Sequence, residues 1–187
     1  HVRHIYNFKT PEEFISDIKY FKKNFNLIDS RFLAERGARR EALPKNAAFV
    51  TIDDGYSECF SVIRPILLEH DVPGVFFITE SFIDNKSMFY RNKASLCIDR
   101  FASLSREERE TALEEMRSYT SVRFEDDESF ARWILSLAWH DVETIDSVGR
   151  ALALDFEKFL KEAKPYLSTE QTRKMSSEGF VFGGHSK

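Results

Sequence analysis

Two adjacent carboxylates, Asp53 and Asp54, close a short apolar run and are followed at once by Gly55. Far along the chain, His185 comes just after a second apolar run, Phe180-Val181-Phe182, from which two glycines separate it. Both clusters therefore stand where a strand is expected to end and a loop to begin, which is where parallel α/β sheets gather their sites. Neighbouring carboxylates leaving a buried strand repel one another, and desolvation raises their pKa unless something neutralises them. A bound cation does so. Consecutive residues at a strand end point in different directions, so one carboxylate can hold a metal while the other faces an attacking water. Gly55 allows the tight turn behind them. The same Asp-Asp-Gly pattern also serves in plain turns and helix caps, and a lone histidine at a strand end is more often structural. On residue type and spacing alone, both readings stand.

The elements that must position these residues are marked by caps and periodicity. Thr10, Pro11 and Glu13 form a capping box with proline at the first helical position, and Phe14, Ile15, Ile18 and Phe21 follow at helical spacing as a buried stripe. A polar stretch around residues 36–41 separates this helix from the run Ala47-Ala48-Phe49-Val50-Thr51-Ile52, whose continuity predicts one strand buried on both faces. Phe60, Ile63, Ile66 and Leu67 then predict a helix to about His70, kinked at Pro65. A turn at Asp71-Val72-Pro73-Gly74 leads into a second buried strand over residues 75–79. Strand, helix and strand in this compass make a parallel βαβ unit.

From about Met88 to Pro165 the strand rhythm gives way to charged amphipathic helices. Ser105 and Glu108 form a capping box for a helix to about Tyr119, and further helices are expected over residues 128–139, 144–151 and 156–163. The segment reads as a helical insertion, either a packed subdomain or a lid over a cleft. Ser168 and Gln171 then cap a last helix that Gly179 ends, and Phe180-Val181-Phe182 returns to strand.

Composition narrows the class. A hydrophobic fraction of 42% supports one ordinary core. With 27 basic and 31 acidic residues interspersed, a net charge of -4 gives no electrostatic footprint for nucleic acid. No apolar run approaches the roughly 20 residues of a membrane span, and no signal-peptide layout opens the chain, so a cytoplasmic location is expected. Cys59 and Cys97 fit no metal or redox spacing and read as buried hydrophobes. His70 and His140 read as surface or helix-end residues, and His1 and His4 receive no role. Arg91 and Lys93 could meet an anionic sugar or phosphate, but a solvated face is preferred.

A longer string sharpens the reading. Thr51-Ile52-Asp53-Asp54-Gly55-Tyr56, then Arg64-Pro65-Ile66-Leu67, then Val72-Pro73-Gly74-Val75-Phe76-Phe77-Ile78, resembles the first motif, helix and second strand of NodB-type polysaccharide deacetylases. Ile52 stands where that family's Thr-Phe-Asp-Asp-Gly motif has phenylalanine. Gly184-His185-Ser186 resembles its second motif, in which another histidine follows four residues after the first, two positions beyond Lys187. The resemblance implies a partial, deformed parallel (β/α) barrel with a helical insertion. Residues 1–87 would be its first part, 88–165 the insertion or lid, and 166–187 the return to the barrel. It implies a divalent metal, zinc foremost, held by Asp54 and His185, with Asp53 as catalytic base. The expected activity is removal of N-acetyl groups from amino sugars of a polysaccharide or glycan precursor. The partner is then a carbohydrate, with no nucleic acid and no membrane span. The chain reads as truncated, lacking a third ligand and a general acid, and as 187 residues alone is expected to be inactive. The alternative is a non-catalytic carbohydrate-binding or interaction module that kept this fold.

Overall fold

The computed structural model describes residues 3–5 and 7–185; His1 lies outside them. The chain divides into two compact units, one formed by Lys9–Ser87 with Ala163–Lys187, the other by His1–Phe8 with Met88–Glu162.

In the first unit, α1 (Pro11–Asn24) begins at the expected capping box. Glu13 N–H donates to Thr10 Oγ1, and Thr10 N–H donates to Glu13 Oε2 at 2.7 Å, so two otherwise orphaned donors are satisfied. Its stripe is narrower than expected: Ile18 is buried, whereas Phe21 is exposed and packs on the rings of Tyr20 and Phe25. The polar stretch proves to be part of a helix, α2 (Ser30–Arg39), capped by Asp29 and ended by Arg40 in the left-handed region. No residue of α2 is buried, which is why no stripe announced it.

The expected single strand over residues 47–52 is two. β2 (Ala47–Ala48) pairs in parallel with β1 (Asn26–Leu27), and β3 (Thr51–Asp54) joins a separate sheet. That sheet has the order β3-β4-β5, with β4 (Val75–Ile78) between β3 and β5 (Val181–Gly184), all parallel. Burial on both faces holds for the start of the central strand only. β3 lies at the sheet edge and alternates, with Thr51 and Asp53 exposed and Ile52 and Asp54 half-buried. An edge strand covered on one face shows this period of two. Between β3 and β4 the chain makes a π-helical turn (Cys59–Ile63) and then α3 (Arg64–Glu69), and the change of helix type falls at the Arg64-Pro65 step. Proline supplies no N–H for the preceding ladder, so a change of helical hydrogen bonding there is expected.

The core of this unit gathers Ile18, Leu67, Phe76, Leu167, Met175 and Phe180. Phe76 is fully buried, its ring meeting Phe180 edge-on at 5.5 Å and stacking on Phe182 at 5.6 Å. Gly183 leaves room for the neighbouring strand's Phe77, whose ring edge lies 2.7 Å from where a Cβ would stand. α9 (Thr169–Ser177) starts at the Ser168 capping box, and Gly179 at φ +98° turns the chain into β5.

The second unit is helical: α4 (Tyr90–Ser103), α5 (Arg106–Met116), α6 (Asp127–Ser136), α7 (Val142–Ala151) and α8 (Phe156–Ala163). α4 carries no side-chain cap, and its inward face mixes Asn92 and Ser95 with Ala94, Cys97, Ile98 and Phe101, so its start was not marked in the sequence. Phe101 and Phe130 stack at 4.1 Å in its core beside Ile134, Val148 and Leu152. Arg3 and His4 both reach Asp99, joining the first residues to α4. Lys93 is not on a solvated face: it is 16% exposed, ion-paired with Asp146 at 2.7 Å and set over the Phe156 ring. Trp139 and His140 are exposed at a short 3-10 turn. Among the described residues no helix is long and apolar enough to cross a membrane.

Candidate functional site

The parallel register aligns the carboxyl ends of all three strands, Asp54 opposite Ile78 and Ile78 opposite Gly184. His185 continues this ladder, its N–H donating to the Ile78 carbonyl at 2.9 Å. The backbone thus carries His185 to the end of the sheet where Asp53 and Asp54 emerge, although it lies 131 positions after Asp54 in sequence order.

The three side chains that sequence reasoning singled out are brought together. His185 Nε2 lies 3.5 Å from Asp54 Oδ1, and Nδ1 lies 4.0 Å from Asp53 Oδ1. The second distance is beyond hydrogen-bond reach. Asp54 is the more enclosed of the pair, 22% exposed against 55% for Asp53, so the two carboxylates differ in environment. Burial pushes the Asp54 carboxyl up from its ordinary value, the His185 ring works to lower it, and the charge of Asp53 raises it again. Raised by burial and by a like charge, Asp54 gains from any cation placed against it.

Asp54 and His185 suit a metal by spacing as well as by type. Two donors at about 2.0–2.1 Å from a tetrahedral zinc stand about 3.3 Å apart, close to the 3.5 Å seen between Oδ1 and Nε2. Among the described residues no group of three His, Cys, Asp or Glu side chains is placed to hold a metal. Cys59, just beyond the turn, is buried, and burial, with the Glu58 and Asp54 charges, pushes its thiol up to about 12. Cys97 is buried in the helical unit, its thiol likewise raised by burial.

The turn behind the carboxylates is tight. Asp54 at φ 68° and Gly55 at φ 70° are both left-handed, a conformation glycine takes freely and aspartate only with support. That support comes from residues sequence reasoning passed over. The Leu167 N–H donates to the Gly55 carbonyl at 2.9 Å, the Ser57 N–H donates to the Pro165 carbonyl at 2.8 Å, and Tyr56 pairs antiparallel with Tyr166. Asp84 and Asn85, consecutive at φ 62° and 58°, grip the same segment from the loop after β4. A polar Asp-Asn pair just past a strand was the one available signal, since these are the side chains that tolerate the left-handed region.

A mixed α/β fold with parallel strands, carrying two carboxylates and an imidazole at the strands' carboxyl ends, is the class these features define. The family model for polysaccharide deacetylase matches residues 40–187, and the chain belongs to that family. Among solved structures the chain is similar to a de-N-acetylase from Aggregatibacter actinomycetemcomitans, at 16% identity and a TM-score of 0.48, over 97% of this chain and 49% of that one. It is also similar to the BpsB deacetylase domain from Bordetella bronchiseptica, at 16% identity and a TM-score of 0.46, over 97% of this chain and 45% of that one. The chain therefore spans about half the length of these structures. No curated protein matches it.

Proposed function

We propose that this chain forms part of a metal-dependent hydrolase that removes acetyl groups from N-acetylated amino sugars of a polysaccharide or glycan precursor. Its parallel strands would belong to a deformed (β/α) barrel into which residues 88–165 are inserted. The observation that carries the reading is the approach of His185 Nε2 to within 3.5 Å of Asp54 Oδ1 at the carboxyl end of the sheet, with Asp53 alongside.

Asp54 and His185 would hold a divalent ion, zinc foremost. When bound, such an ion supplies Lewis acidity, which lowers the pKa of water and polarises an acyl oxygen. Asp53 is the exposed carboxylate, free to turn toward substrate, and would accept the proton that water gives up on attacking the amide carbon. Cleavage of the carbon–nitrogen bond yields acetate and a free amine, and the overall reaction consumes one water. Gly55 and the backbone around it hold the main chain beneath the two carboxylates, which limits the reorganisation required during reaction.

The test is a zinc titration of the full-length protein by calorimetry, beside Asp54→Ala and His185→Ala, with acetate release from N-acetylated oligosaccharides as the second readout. Each substitution is expected to weaken zinc binding at least about 100-fold, whereas Asp53→Asn should keep binding within about tenfold and lose turnover. Absence of both zinc binding and acetate release in the unsubstituted protein would sink the proposal in favour of a non-catalytic carbohydrate-binding module.

A further inference from the structure

Resting on that reading, we infer that Tyr166 and Asn85 are positioning residues for the reaction: together they fix the Asp53-Asp54-Gly55 turn at the geometry that lets Asp54 and His185 meet. Asn85 bonds the Tyr166 main chain, and the effect of the pair passes through that backbone.

The turn after β3 has two hydrogen bonds to the segment that enters α9, one from Leu167 N–H to the Gly55 carbonyl and one from Ser57 N–H to the Pro165 carbonyl. They bracket Tyr56, which forms an isolated antiparallel bridge with Tyr166. The pairing of β3 with β4 holds Asp53 and Asp54 from one side, and residues 165–167 hold the turn that follows them from the other. Those three residues are all buried, Tyr166 at 2% exposure, and the Tyr166 ring stacks on Tyr56 at 5.5 Å and on Phe82 at 5.0 Å, with interplanar angles of 19° and 25°.

Asn85 completes the arrangement. Its side chain acts as a surrogate peptide: Oδ1 accepts from the Tyr166 N–H at 3.0 Å and Nδ2 donates to the Tyr166 carbonyl at 3.4 Å. Beside it the Asp84 N–H donates to the Leu167 carbonyl, and the Asp84 carboxylate accepts from the Thr169 N–H at 2.7 Å and from its hydroxyl at 2.6 Å. The segment is held from the loop after β3 on one side and the loop after β4 on the other. Two consecutive non-glycine residues in the left-handed region, at φ 62° and 58°, persist only where surroundings over-determine them. Here the hydrogen bonds to residues 166–169 do so. A turn that holds Asp54 at φ 68° gains from such a brace, since even aspartate, which tolerates the left-handed region better than most residues, takes it only with support.

Asn85→Gly removes the amide while relieving the left-handed backbone, and Tyr166→Leu removes the stack while keeping the backbone bonds. Both are made in the full-length protein. In the metal-free state, hydrogen exchange at the Ser57 and Leu167 amides reads the brace directly, and both should speed at least about tenfold in Asn85→Gly while the β4 amides stay protected. Zinc affinity should fall about 10- to 100-fold, and kcat should fall by a similar factor with KM within about twofold, the pattern of a lost transition-state geometry. Should the unsubstituted protein bind zinc and release acetate while both folded variants match it in exchange, affinity and kcat, the positioning role is overturned and the hydrolase reading survives. An unsubstituted protein that does neither removes both.

Discussion

Gly55→Ala is the substitution that most directly probes the turn beneath the carboxylates. Two separate effects act there. The residue sits at φ +70°, where an L side chain brings Cβ against its own carbonyl at about 1–2 kcal/mol. An added Cβ would also lie 2.9 Å from Ile78 Cγ2 and 3.4 Å from Ile78 Cβ, inside the roughly 3.5–4.0 Å at which carbon atoms pack, and overpacking of this kind costs about 1–3 kcal/mol. The contacts reach close to the β4 backbone, so the side chain cannot simply swing away. Allowing for partial relaxation, the sum is about 2–4 kcal/mol, or about a 30- to 1000-fold loss of protection at the β4 amides in native-state hydrogen exchange. Gly184→Ala serves as the internal comparison, because among the described residues nothing lies within 4 Å of its Cβ position and its φ is not in the left-handed region. It should stay within about 0.5 kcal/mol. Protection in Gly55→Ala within about threefold of the unsubstituted protein would refute the reasoning, as would an equal loss in Gly184→Ala.

Two further outcomes are expected. Phe76→Ala deletes a fully buried ring between Phe180 and Phe182 and should destabilise the sheet unit by about 3–5 kcal/mol in urea unfolding followed by far-UV circular dichroism; a shift below about 1 kcal/mol would contradict the packing described. Hydrogen bonds from Arg64, helped by Lys174, hold the Glu178 carboxyl down at about 2 against an ordinary 4.5. Because the folded value is the lower one, the pair's contribution is complete above about pH 4.5 and is lost as pH falls toward 2. Glu178→Gln should therefore be less stable than the unsubstituted protein at pH 6, with the gap closing between pH 4.5 and 2; a gap independent of pH would exclude the ion pair as its source.

What the sequence made legible depended on whether the signal was local. The capping boxes at Thr10, Ser105 and Ser168 each sit at an observed helix start, because a cap is a contact between residues three apart. β4 was equally plain, a short apolar run between turn residues. α2 was hidden because it buries nothing, and the bounds of α4 were hidden because Asn92 and Ser95 interrupt its inward face of Ala94, Cys97, Ile98 and Phe101. The run over residues 47–52 read as one strand because hydropathy does not register which sheet a residue joins. Asp53, Asp54 and His185 stood out by their positions at strand ends, and the motif resemblance gave them roles. Asn85 and Tyr166 could not, since their pairing spans 81 positions and is made through the backbone of one partner.

The order in which strands enter the sheet bears on when the site can exist. Val75 in the central strand pairs with Thr51, 24 positions earlier, and with Val181, 106 positions later. Closing the longer loop adds only about 1.3 kcal/mol of chain entropy over the shorter, so the late pairing is slower to find rather than much less stable. During synthesis one edge of β4 stays without its partner until the whole helical segment has been made. His185 follows directly on β5. Asp53 and Asp54 therefore emerge as bare neighbouring carboxylates on a nascent parallel crossover, and the imidazole that faces them arrives only when β5 pairs with β4, so the meeting of the acidic pair with its histidine reports that pairing.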